Sequence, residues 1–211
     1  MESHTSLAEP ADVEHTAILS MPAAATALEG TLFLRDGTPV HVRAIRPDDT
    51  ERLRQFHAHL SADTIVFRFF RMMPELSVRD AERFTHVDYV NRMALVATES
   101  EADDAPILAV VRYDRVAERR AEVAFVVADQ WQGKGISTAL LLMLAAYARA
   151  RGFAELVAIT MGTNVRMMEV LRHCGYPSHS RCGDGDMEVC LDITAEPVAL
   201  GSPIHFVPRN P

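Results

Sequence analysis

The sequence predicts a single α/β domain with a mixed, mostly antiparallel central sheet and helices on both faces. Three observations carry that prediction. Strand-like and helix-like stretches alternate between residues 31 and 193. Three consecutive strands in the middle of the chain have links too short for crossovers, so they pair as an antiparallel meander. A long apolar helix then separates that meander from one further buried strand, which makes the sheet mixed.

Taken in order, residues 1–30 are polar and Ala-rich without clear periodicity, and are assigned to an N-terminal tail. Thr31–Arg35 and Val40–Ile45 form a hairpin around Asp36-Gly37, a turn dipeptide. Pro47-Asp48-Asp49 opens a helix carrying Leu53, Phe56 and Leu60 at helical spacing. Ser61-Ala62-Asp63 restarts the chain into a second helical segment with Ile65, Phe69 and Phe70. Ser77 caps a third, Val78–Thr85, with Asp80 as its partner. The meander is Met93–Thr98, Ile107–Tyr113 and Glu122–Ala128, with a charged turn at Arg115–Arg120 before the last strand. Gly135–Arg151 is a helix stopped by Gly152, and Glu155–Thr160 is a strand. Val165–Cys174 is a helix with Asn164 as N-cap and Gly175 as stop. Ser178–Cys182 and Met187–Ile193 make a final hairpin around Gly183-Asp184-Gly185. The domain therefore spans residues 31–193, and residues 194–211 are assigned to a C-terminal tail.

Composition narrows the function classes. A hydrophobic fraction of 48% and a charged fraction of 24% are those of a globular domain. No apolar run reaches the roughly 20 residues needed to cross a bilayer. The first basic residue is Arg35, so a secretory start is not expected and a cytoplasmic location is. A net charge of −8 argues against nucleic acid and suits cationic substrates such as amines. Cys174, Cys182 and Cys190 have no metal-ligand spacing and read as free thiols. Asp184-Gly185-Asp186 lacks the spacing and terminal Glu of a calcium loop, so no metal site is expected. Of 21 Lys and Arg residues, Lys134 alone is lysine.

The chemistry concentrates in Gln132-Gly133-Lys134-Gly135-Ile136-Ser137, a glycine-rich turn between a strand and a long helix. The first amides of a helix lack internal acceptors and sit at the positive end of its dipole. Gly133 and Gly135 leave room for these amides, between Trp131 and Thr138, to converge on phosphate oxygens. A Walker A loop is excluded because its first glycine is missing, and a dinucleotide fingerprint because Thr138 stands at its third small position.

This loop resembles the Q/R-x-x-G-x-G/A signature of the GCN5-related N-acetyltransferase (GNAT) superfamily, with Ser137 at the last small position. Asn164 with Val170-Leu171 and Gly175-Tyr176 is similar to that family's N-x-x-A-x-x-L-Y-x-x-x-G-F helix, with Met167 in place of Ala and Leu171 in place of Tyr. More narrowly, Leu60-Ser61-Ala62-Asp63-Thr64, Arg68-Phe69-Phe70, Val87-Asp88-Tyr89 and Ala121–Val127 resemble the acetyltransferase domain of bacterial Pat-type protein lysine acetyltransferases.

The resemblance implies a GNAT fold and an acetyl-CoA-dependent N-acetyltransferase acting on a primary amine. The implied acceptor is a protein lysine, such as one on an acyl-CoA synthetase. The implied pyrophosphate cradle is Gln132, Gly133, Lys134, Gly135, Ile136 and Ser137, with Phe125 and Val127 offering backbone groups to pantetheine. Asn164 either binds the pantetheine arm or only caps its helix. Glu122 is implied as general base. A lysine near pKa ~10.4 is only about 0.04% neutral at pH 7, equivalent to roughly 4.6 kcal/mol, so a base is needed. A backbone N–H near Val127 would polarise the carbonyl. His86, Asp88 and Tyr89 border the amine side, with packing expected for His86 and Tyr89, and His173 is not expected to be a catalyst. Two other readings stand beside this one: a small amine as acceptor, and a non-catalytic acyl-CoA sensor.

Overall fold

The computed structural model describes residues 21–183, 185–198 and 205–209. The parts of both assigned tails at 1–20, 199–204 and 210–211, and the centre of the last turn at Asp184, lie outside the described residues. Among the described residues, nine strands form one sheet. They are β1 (Gly30–Phe33), β2 (Pro39–Ala44), β3 (Arg92–Thr98), β4 (Ile107–Ala117), β5 (Arg120–Val127), β6 (Glu155–Met161), β7 (Ser178–Cys182), β8 (Asp186–Asp192) and β9 (His205–Pro208). Their spatial order is β7-β8-β6-β5-β4-β3-β2-β1-β9, and every pair is antiparallel except β5–β6. The helices are α1 (Ala23–Thr26), α2 (Thr50–Ala58), α3 (Ala62–Phe69), α4 (Val78–Thr85), α5 (Ile136–Arg149) and α6 (Val165–Arg172). The mixed, mostly antiparallel sheet with helices on both faces is thus the architecture the sequence predicts.

Strand alternation sorts the core into two layers. Leu95, Val111, Val123, Phe125 and Leu156 point to one face, where Leu140, Leu141 and Leu144 of α5 cover them. Ala94, Val96 and Val110 point to the other, under Leu53 and Phe56 of α2, Ile65 of α3 and Ala81 of α4. One buried ion pair locks that second layer: Nη1 and Nη2 of Arg43 both donate to the fully buried Asp49 carboxylate at 2.7 Å.

The helix starts follow their caps. The hydroxyl of Ser61 accepts from Thr64 N at 3.3 Å, and that of Ser77 accepts from Asp80 N at 3.1 Å. Three of the departures from the sequence expectation have a visible cause or consequence. The charged turn narrows to two residues because β4 runs on to Ala117 and β5 starts at Arg120. Arg115 can stay in the strand because its guanidinium lies over the Phe153 ring at 4.1 Å and donates to Asn91 Oδ1 at 2.7 Å. Helix α6 stops at Arg172, two residues before Cys174, and Gly175 then takes φ 83°. Within the stretch assigned to the C-terminal tail, His205–Pro208 pairs with β1 as an edge strand. Val207 and Phe206 approach Gly30 so closely that a Cβ there would sit 2.3 Å from the Val207 carbonyl oxygen.

Candidate active site

The parallel pairing of β5 with β6 lasts for three rungs only, ending at Glu122↔Val157. Strand β5 stays on β4 up to Val127, so the sheet forks beyond Glu122. Ala128 N donates to Leu108 O at 2.8 Å, which sets the antiparallel alternation. By that alternation Val126 and Ala124 bond to β4, while Phe125 and Val127 turn their N–H and C=O groups into the fork.

At the open end of the fork lies the glycine-rich turn. Trp131 N and Gln132 N are already used, donating to Ala128 O at 2.8 Å and Asp129 O at 3.3 Å. The first amide bonded in the turn of α5 is Ala139 N, to Gly135 O at 3.1 Å. Between them the amides of Gly133 to Thr138 hydrogen-bond to no described group, and no side chain caps α5. Gly133 and Gly135 reach this geometry with φ of 78° and 91°, a region side chains avoid. The run of unpaired amides at the positive end of a helix dipole forms one wall of a cleft of about 1500 Å³.

The individual side chains around this cleft have distinct jobs. Gln132 braces the loop: its Nε2 donates to the Val127 carbonyl and to Thr64 Oγ1, both at 3.1 Å, and its Oε1 accepts from Arg166. Lys134 points elsewhere, with Nζ 3.3 Å from Asp36 and over the Trp131 ring at 4.8 Å, so only its amide is available to the loop. The Ile136 side chain is buried in the core, and Ser137 lines the cleft. Asn164 accepts from Met167 N at 3.1 Å, which is the capping role, and also borders the cleft.

Glu122 occupies the last paired rung, at the apex of the fork, with its side chain exposed. Its alternation places it on the α2–α4 face, opposite the α5 face shared by Val123 and Phe125. It is absent from the cleft wall itself. Among the described residues it has no ion-pair partner.

His86, Asp88 and Tyr89 are absent from the wall of this cleft. The Asp88 carboxylate accepts from the backbone of Val90, Asn91 and Arg92 at 2.7–2.9 Å and closes a turn. Tyr89 is buried, donating to Ile45 O at 3.0 Å, and His86 Nδ1 contacts Glu82 O at 2.9 Å. His173 sits at the cleft rim with Nδ1 2.9 Å from Glu169 O. Leu171, at the position where the family pattern has tyrosine, is fully buried. Burial raises the hydroxyl pKa of Tyr89, Tyr113, Tyr147 and Tyr176, and none of them lines the cleft.

Two cleft residues have parts that the sequence reading did not assign. The Asp129 carboxylate accepts from Ser61 N at 2.9 Å, Ser61 Oγ at 2.7 Å and Thr64 Oγ1 at 2.8 Å, pinning the start of α3 to the turn. Partial burial works against its charge, but these hydrogen bonds from Ser61 and Thr64 prevail and hold the carboxyl below the usual range. Arg68, on the next turns of α3, lines the cleft from the side facing Val126.

The family described as the acetyltransferase (GNAT) domain matches residues 40–177. An acetyltransferase of Pseudomonas aeruginosa is 32% identical over 161 residues, covering 74% of this chain and 87% of that protein. The crystal structure of the GNAT domain of S. lividans PAT is 37% identical, with a TM-score of 0.73, over 82% of this chain and 99% of that one. The acetyltransferase Pat of Mycolicibacterium smegmatis is 28% identical over 144 residues, which is 67% of this chain and 42% of that protein. With the family match running from β2 through the fork, the amide-lined turn and the whole of α6, the chain belongs to the GNAT family of acetyltransferases.

Proposed function

We propose that this chain transfers an acetyl group from acetyl-CoA to a primary amine, with a protein lysine side chain as the acceptor and Glu122 as general base. The observation that carries this reading is the run of unpaired amides from Gly133 to Thr138 beside a forked sheet. A diphosphate would satisfy several of those donors at once, each charge-assisted bond being worth about 1.5–3 kcal/mol. Pantetheine would extend into the fork along Phe125 and Val127, an extended chain adding itself to exposed strand groups.

The chemistry assigned to the residues is simple. The neutral amine attacks the thioester carbonyl carbon, the carbon–sulfur bond breaks, and CoA leaves as thiolate. Glu122, directly or through one water, takes the proton that the amine nitrogen loses. A thiolate leaving group with pKa near ~8.5 needs little help from an acid at neutral pH, which suits a cleft without tyrosine. The Val127 N–H, aimed into the fork, is the donor assigned to the developing oxyanion.

A protein acceptor is favoured over a free amine by where Glu122 stands. Its side chain is exposed and lines neither the main cleft nor the smaller cavity, so it does not sit at the bottom of an enclosed pocket. The test is thiol release with acetyl-CoA, offered either protein lysines or free amines, together with calorimetry of CoA binding. Turnover on protein lysine alone supports the reading, turnover only on free amines replaces the acceptor, and tight binding with no turnover on any amine turns the chain into a sensor.

A further inference from the structure

The α2–α4 face around Glu122 carries a cluster of charged groups. Asp114 is shared by two arginines: Arg112 contacts it through Nε at 2.9 Å and Nη2 at 3.2 Å, and Arg92 through Nε at 3.0 Å. Arg120, two residues from Glu122 on the same face, is paired with Glu155 at 3.0 Å and Glu188 at 2.7 Å. Arg68 and Glu122 do not close on each other within 4.0 Å, so with Asp114 taken up by Arg92 and Arg112, Arg68 is left without a bonded partner among the described residues.

The Arg68 side chain is half-buried and held in place, with its guanidinium 4.9 Å from the centre of the Phe69 ring. It has no hydrogen-bond or ion-pair partner among the described residues. Its helix is anchored at the other end by the Ser61–Asp129 bonds, so the guanidinium is presented from a fixed element. It borders both the main cleft and a second cavity of about 40 Å³ lined by apolar side chains such as Phe56, Phe84 and Val126. Burial, helped by repulsion from Arg112 and opposed by attraction to Glu122 and Asp114, pulls its pKa down to about 10, so it stays charged at neutral pH. A half-buried charge with no bonded partner gains from one that arrives.

We propose that Arg68 is a carboxylate-binding subsite at the acceptor end of the cleft, a specificity residue for the transfer reaction. This rests on the transfer reading above. The carboxylate can arrive from two sources that share one chemistry: the far end of a dicarboxylic acyl group on CoA, or an acidic group beside the acceptor amine. The planar guanidinium would take it through paired hydrogen bonds, supplying the bonded partner Arg68 lacks.

The experiment uses the full chain, with Arg68→Met to remove the charge at similar volume and Arg68→Lys to keep it. In the acyl arm, succinyl-CoA and acetyl-CoA are compared with one acceptor, by kcat/KM and by calorimetric Kd. In the acceptor arm, acetyl-CoA is used with lysine peptides carrying Glu or Gln next to the lysine. The expected result is a preference of roughly tenfold or more for the carboxylate partner in at least one arm, the factor one charge-assisted hydrogen bond carries. That preference collapses in Arg68→Met and is partly kept in Arg68→Lys, and the arm in which it appears names the source. Ratios near one in both arms of the wild type, or a preference that Arg68→Met leaves in place, overturn the subsite. Acyl-CoA binding without thiol release in any pair would count against the transfer reading alone, since the calorimetric ratio would still decide Arg68.

Discussion

Gln132 Nε2 donates to the Val127 carbonyl at 3.1 Å, tying the amide-lined turn to the end of the strand that faces the fork. The same nitrogen reaches Thr64 at 3.1 Å, so a single amide side chain sets the turn against both β5 and α3. Gln132 therefore acts as a brace.

Removing that brace should loosen the cradle without emptying it. Gln132→Ala forfeits two neutral hydrogen bonds, each worth about 1 kcal/mol, and the bond its Oε1 accepts from Arg166. We expect the KM for acetyl-CoA to rise by roughly tenfold, with kcat changing by less than about threefold, measured by thiol release. An unchanged KM would mean that the turn holds its shape by glycine geometry alone.

Gly135 sits at φ 91° as the N-cap of α5. Gly135→Val forces a β-branched residue into that region, costing at least the ~1–2 kcal/mol of left-handed backbone. Because the strain falls on the amides facing the cleft, we expect CoA affinity by calorimetry to drop by tenfold or more. Retained affinity would remove these amides as the phosphate site.

The element order, caps and turn chemistry were legible because each depends on neighbours in sequence. Ser61 and Ser77 announce their helices within three residues, and Gly133 and Gly135 announce their turn. What escaped depends on contacts across long separations. The Asp129 bonds to Ser61 span 68 positions, and nothing local marks Asp129 as other than a solvated turn carboxylate. Arg68 was noticed as part of a family-like string but not as a charge without a partner, since that depends on how Asp114 divides itself between Arg92 and Arg112. Lys134 stands beside the glycines in sequence, but its side chain turns to Asp36, a partner 98 positions away that no local pattern marks. Strand β9 was missed because four residues ending in proline have strand character only against the edge that β1 supplies.

Glu122→Gln keeps the size and the exposed position of the side chain at the last rung of the fork while removing its basicity. With Glu122 as the base, kcat should fall by about 10²–10⁴-fold, and the Kd for CoA should stay within about twofold. Turnover equal to that of wild type would take Glu122 out of the mechanism.

Arg43→Met strands the fully buried Asp49 carboxylate, which keeps only the Arg46 amide at 2.8 Å and Arg52 as partners. Breaking a buried pair from one side costs about 3–5 kcal/mol, and the surviving contacts place this case at the lower end. A fall in Tm of roughly 6–12 °C is expected for a domain of this size. A shift under about 2 °C would show that Arg52 alone compensates.

The Asp129 carboxylate predicts how the site responds to acid. Its folded pKa lies below the unfolded carboxylate value because Ser61 and Thr64 donate to the charged form, burial opposing them. The contribution is therefore fully present above the ordinary carboxylate range, near pH 4, and is lost as pH falls through the lower folded value. Asp129→Asn can still accept from Ser61 but carries no charge to lose, so it should start less stable at pH 7 and show a shallower decline in Tm between pH 5 and pH 3. Acid should also release the start of α3, and with it the position of Arg68, before the sheet unfolds. Hydrogen exchange of the Ser61 amide, which donates to Asp129 at 2.9 Å, reports this directly: its protection should fall between pH 5 and pH 3 while amides in β4 and β5 remain protected. Equal loss at Ser61 and in the central strands would show that the Ser61–Asp129 link opens only with global unfolding.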